Sequence, residues 1–184
     1  QFNKIYLNSN YYDKKISKIN HNILVYKPSP YLLSSLIKYQ TKKINLDDIS
    51  TANLWDDKNI NFKNFIKINN FYWFFSLDLK SSKKDTQKII LDWIKKNDKY
   101  DSKIWEFDLT SKRIIAWLSN YKLTYDESDR EYQKKFNEMV QKQTNHLINE
   151  INKSEFVDDK MIGCAAIILV GLCYKDENNH LSFG

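Results

Sequence analysis

The stretch MIGCAAIILVGLCY, residues 161–174, contains no charged side chain. Wound as a helix, it shows an apolar surface on every flank. It is shorter than the ~20 residues needed to cross a bilayer, so the pattern predicts a helix buried on all sides within a protein. Gly163, Ala165, Ala166 and Gly171 are small enough to let neighbouring helices approach closely. A single layer of helices would leave such a segment open on one flank, whereas two layers close over it. The stretch therefore predicts an all-α fold with a two-layer helical array, as in a helical barrel or toroid.

The rest of the chain fits that class. Its 184 residues amount to one domain, and 42% hydrophobic and 15% aromatic content supply a core and argue against disorder. With only three glycines and two prolines, few turns are punctuated, which favours long helices over a many-stranded sandwich. Upstream of the apolar stretch, Ser128 and Glu131 have capping-box spacing. Beyond them Tyr132, Phe136, Met139, Val140, Leu147, Ile148 and Ile151 share one helical face. Thr110 or Ser111 caps a helix bearing Ile114, Ile115, Trp117 and Leu118, and Asp85 caps one with the stripe Ile89, Ile90, Trp93 and Ile94. Residues 61–80 predict helix for most of their length, although the run Phe71–Phe75 is denser in rings than one helix face can bury. Ser29-Pro30 opens a short helix over 30–40, residues 22–26 (NILVY) read as a short strand, and 41–60 form a polar connection anchored by Trp55. This divides the chain into an irregular segment with one short helix, residues 1–54, and the helical array, residues 55–184.

The formal net charge of +6 invites a nucleic-acid reading. Acidic residues interleave with the lysines, as in Asp56-Asp57-Lys58 and Lys83-Lys84-Asp85; a mixed, solvated surface is expected and no nucleic-acid partner. Cys164 and Cys173 lie nine residues apart in one helix, on opposite sides and ~13 Å apart along the axis. They cannot bridge each other and read as small core residues. His21, His146 and His180 each lack a second ligand at metal-binding spacing, and His146 reads as part of a surface helix. No Gly-rich phosphate loop or nucleophile elbow occurs, so neither metal nor cofactor is expected. Starting at Gln1 and ending just after a new segment begins at His180, the chain reads as an internal piece of a longer protein.

One residue stands apart. Of the 29 basic side chains only Arg113 and Arg130 are arginines, and Arg113 sits between two tryptophans in WEFDLTSKRIIAWL, residues 105–118. A guanidinium holds a carboxylate or sulfate with two parallel hydrogen bonds. Trp117, four residues on, shares its helix face, and Trp105 could close the other side, the combination found in sugar subsites. Equally, Arg113 could pair with Glu106 or Asp108 and stack on a tryptophan, locking the preceding loop to the helix.

The ordered set FYWFFSLDLK (71–80), IILDWIKKN (89–97), Trp105, Ser111 with Arg113, Ile115 with Trp117, and AAIILVGLCY (165–174) resembles the N-terminal helical region of heparinase II/III-like proteins of the alphaproteobacterial type. The likeness runs from about Trp55 to Tyr174. It implies an incomplete α/α toroid followed by a C-terminal β-sandwich domain, in a periplasmic or cell-envelope polysaccharide lyase. Such lyases cleave uronic-acid polymers by β-elimination: a base takes the proton next to the carboxylate while that carboxylate is neutralised. On this reading Arg113, Trp105, Trp117 and Tyr72 bind an acidic polysaccharide. Catalytic residues are not expected within the chain, because the family's catalytic tyrosine and histidine lie downstream. Asp158-Asp159 stands where the family often carries an Asn-His pair, and an aspartate repels a uronate.

Overall fold

The structure is a computed structural model and describes residues 2–18, 24–28, 55, 61–77 and 83–174. The helix expected over 30–40, most of the 41–60 connection, His21 and His180 lie outside the described residues. In chain order the helices are α1 (Phe2–Leu7), α2 (Asn10–Ile16), α3 (Phe62–Asn69), α4 (Lys83–Lys96), α5 (Phe107–Ser119), α6 (Tyr121–Thr124), α7 (Arg130–Glu150) and α8 (Val157–Cys173). Short 3₁₀ turns follow α3, at Tyr72–Ser76, and α7, at Ile151–Lys153. The fold is all-α. NILVY is no strand among the described residues; Leu24 makes an isolated antiparallel bridge to Tyr174.

Burial reverses the expected ranking of two helices. The all-apolar α8 is not enclosed. Gly163, Ala166, Val170 and Cys173 face α5 and α7, while Met161 (67% exposed), Ile168 (61%) and Leu172 (59%) point outward. No described element covers that side, so absence of charge did not mean enclosure. The enclosed helix is α5, where every residue from Leu109 to Asn120 except Lys112 is buried. It lies among α8, α7, α3 and the Tyr72–Ser76 turn. Two of its polar side chains are tolerated there because they turn back on the backbone: Ser111 Oγ donates to Phe107 O at 2.7 Å and Asn120 Nδ2, at the helix end, to Ala116 O at 2.8 Å; Ser119 Oγ is buried with no hydrogen-bond partner.

Helix starts differ from the sequence expectations by a few residues. α5 is capped by Glu106, whose carboxylate accepts from Leu109 N at 2.9 Å, which places Thr110 and Ser111 inside the helix. α7 is capped by Asp129, accepting from Tyr132 N at 2.8 Å, so Ser128 is one residue too early. Asp85 lies in the first turn of α4. In each case a carboxylate is at the N-terminal turn, where it suits the helix dipole.

The predicted 61–80 helix breaks at Phe71. This residue adopts φ 58° and ψ 11°, a left-handed conformation that costs a bulky side chain about 1–3 kcal/mol. Asn70 steadies the turn by accepting from Tyr72 N at 2.9 Å. The break carries the Phe71 ring into the centre of the core, with its centroid 5.0–6.2 Å from those of Trp55, Trp73, Phe74, Trp93 and Trp117. A straight helix would have put these rings on several faces.

Two glycines of α8 make a paired test. A Cβ at Gly163 would run into the ring of Phe107, whereas one at Gly171 meets open space. Gly163→Ala is expected to destabilise the protein by about 1–3 kcal/mol through overpacking. Gly171→Ala should stabilise it by about 0.5–1 kcal/mol through helix propensity. Urea denaturation measures both, and equal effects at the two sites would contradict this packing of α8 on α5.

Candidate functional site

Arg113 projects from α5 with no exposed surface. Its guanidinium uses all of its donor directions on the protein itself. Nε donates to Gln143 Oε1 of α7 at 2.8 Å. Nη1 donates to Asn69 O, at the end of α3, at 3.0 Å, and to Ile104 O at 3.2 Å. Nη2 donates to Ile104 O and to Thr110 Oγ1, both at 3.2 Å. The plane stacks over Trp93 of α4, 4.1 Å from the ring centroid. Burial pushes its pKa down to about 9, with the charge of Glu106 working the other way, so the group is still cationic at neutral pH. Neutral acceptors satisfy it where the sequence reading expected Glu106 or Asp108. Asp108 instead pairs with Lys112 at 2.6 Å.

The other named residues lie as follows. Trp105 and Trp117 have no exposed surface. Trp105 Nε1 donates to Asn97 O at 3.2 Å. Trp117 packs on Phe71, Trp93 and Phe136, with centroids 5.3–5.5 Å apart. Tyr72 is half-buried beside Phe75. Arg113 therefore meets neither flanking tryptophan face to face; the ring it stacks on is Trp93. As placed, Arg113, Trp105 and Trp117 have no surface to offer a polysaccharide, and the role the geometry gives Arg113 is that of a clamp joining α3, α4, α5, α7 and the loop before α5. Asp158 and Asp159 occupy the first turn of α8, the position where acidic residues favour a helix start.

A residue the sequence reading missed completes the clamp. His146, placed on a surface helix by that reading, is only 3% exposed. It lies seven residues from Met139, two helical turns along the same buried face, and that spacing was the available signal. Its Nε2 is 2.9 Å from Trp105 O and its Nδ1 is 2.7 Å from Tyr12 Oη. A carbonyl can only accept, so Nε2 carries the proton and Nδ1 accepts from the phenol. Consecutive carbonyls, Ile104 and Trp105, are thus held by Arg113 and His146, which fixes the loop from two sides.

The surface offers less. An open groove is lined by Ile94, Met139, Lys95, Lys135 and Lys142 among others. Its lysines pair with Asp92 at 3.4 Å, Glu131 at 2.6 Å and Asp13 at 2.7 Å. Among the described residues, no group of three or more His, Cys, Asp or Glu side chains is arranged to hold a metal. No described helix is long and apolar enough to cross a membrane. Compared with protein-family models, curated proteins and solved structures, the chain matches none.

Arg113→Lys keeps the charge but removes the planar fork and the stack on Trp93. It is expected to cost about 3 kcal/mol, because buried carbonyls lose their donors. A urea denaturation midpoint unchanged from wild type would remove the clamp assignment.

Proposed function

We propose that this chain is the helical-array portion of a heparinase II/III-like polysaccharide lyase, and that within it these residues act as scaffold, with the groups that bind and cleave an acidic polysaccharide supplied elsewhere in the protein. The ordered aromatic and S-x-R pattern motivates the family reading. The observation that carries the scaffold reading is α8. One face packs on α5 and α7, and the opposite face presents Val157, Met161, Cys164, Ala165, Ile168 and Leu172 to the outside. These positions recur at intervals of three and four, the spacing of a helix-packing seam. In a toroid, the next helical hairpin would lie along that seam, with a β-sandwich domain following. The chemistry of such a parent is β-elimination on a uronic-acid polymer, to which Arg113, spent on internal acceptors, contributes through the stability of the wall.

The same face favours a second reading, a non-catalytic helical module whose seam receives a protein partner. Two measurements separate them. The full natural protein, incubated with a panel of uronic-acid polysaccharides, is expected to release unsaturated uronate, detected by its ultraviolet absorbance; no release from any polymer would end the lyase reading. Ile168→Glu should then destabilise the full protein by more than about 2 kcal/mol while changing residues 1–184 alone by less than about 0.5 kcal/mol. Equal and negligible effects in both would end the array reading.

A further inference from the structure

We propose that α1 and α2 form an acid-released clasp: when His146 gains a proton, the bond from Tyr12 is lost and residues 2–18 leave α7 while the aromatic core stays folded. The clasp is held by a small set of contacts, apolar at Leu7, Tyr12 and Ile16 and polar around them. Tyr12 and Ile16 enter the core with no exposed surface. Asn145 Nδ2 donates to Ile16 O at 2.8 Å and to Lys18 O at 2.9 Å, and Lys142 pairs with Asp13 at 2.7 Å. Helices of six and seven residues do not persist alone in water, so α1 and α2 depend on this docking.

The Tyr12–His146 bond is the contact within the clasp that a proton reverses. A charged imidazole donates from both nitrogens. Nε2 keeps Trp105 O, but Nδ1 then directs a proton at the phenol oxygen, and the phenol proton loses its acceptor. Burial, helped by the charge of Glu150, holds Tyr12 protonated, so it cannot answer by ionising. The new cation would also join Arg113 of α5 and Lys153, both of which oppose it. The other titratable groups around the pair are Tyr6 of α1, Tyr100 and Asp101 of the loop, and Lys142 and Glu150 of α7. Undocking of α2 gives the imidazolium water.

The sign follows from linkage. Burial, first, and the nearby cations push the folded pKa of His146 down to about 4, below its ordinary 6.5. Docking is therefore at full strength above the ordinary value and is lost as pH falls toward the folded one. The opening equilibrium of residues 2–18 is expected to rise about twentyfold from pH 7 to pH 5.

Hydrogen exchange followed by mass spectrometry, corrected for intrinsic pH dependence, reads this segment by segment. Exchange in 2–18 should rise by that factor while 114–118 and 136–147 stay protected. His146→Gln retains a donor for Trp105 O and an acceptor for Tyr12 but does not titrate, so its 2–18 exchange should be flat over the range. Tyr12→Phe should expose the segment already at pH 7. The same pH slope in His146→Gln would assign the response to Asp13 and overturn the proposal, as would core segments opening together with 2–18. Should His146→Gln fail to fold, proton NMR of the wild-type ring decides: a His146 that titrates near 6.5 with residues 2–18 still docked also overturns it.

Discussion

A guanidinium removed from water must have its charge answered inside the protein, and in this fold that requirement fixes the relative positions of five segments. Transfer of an unpaired cation to the interior costs several kcal/mol even after relaxation. Arg113 meets that cost without a carboxylate in contact with it. It collects the end of α3 through Asn69 O, the loop through Ile104 O, α7 through Gln143 and the ring of Trp93 on α4. Each is a directional contact, so a shift of any one segment leaves a buried donor or carbonyl unpaired. A lysine would bring three donors on a flexible stem and no plane to stack. This explains why an arginine stands here in a chain that otherwise uses lysine almost throughout.

Around this clamp the core is aromatic. Phe71 lies among five rings, and its backbone strain is tolerable because those rings over-determine its place. Outside it, lysines of α4, α5 and α7 are matched with acids on their own helix, as in Lys95–Asp92, Lys112–Asp108 and Lys135–Glu131. Such exposed pairs add little stability.

Much of the helical framework was legible in the sequence, since α4, α5 and α7 carry apolar residues at helical spacing and the Trp93, Trp117 and Phe136 stripes are buried as that spacing implies. Starts were misplaced because several acidic and hydroxyl residues near each one can cap, and only the backbone path selects among Glu106, Thr110 and Ser111. The α8 expectation failed for a different reason: a one-dimensional pattern records what a helix could bury, and Met161, Ile168 and Leu172 show that neighbours decide what it does bury. The loop-locking reading of Arg113 was available from its neighbours in sequence, but its acceptors were not. Asn69 and Gln143 lie far off in the chain, and a backbone carbonyl such as Ile104 O leaves no mark in residue identity. His146 was hidden by polarity, which outweighed the spacing that put it on the buried face.

The longest connections among the described residues have a consequence for how the protein is made. Tyr12 reaches His146, Ile16 reaches Asn145, and the amides of Val25 and Tyr26 both donate to Cys173 O. Residues 2–18 and 24–26 are thus synthesised well before their seat exists, and wait until α7 and the end of α8 have been translated. Through that interval Tyr12 and Ile16 lack their partners on α7, and Leu24 its partner at the end of α8. Closing loops of this span is entropically slow. These residues therefore need shelter in the nascent protein, and their docking follows the formation of α7 and α8.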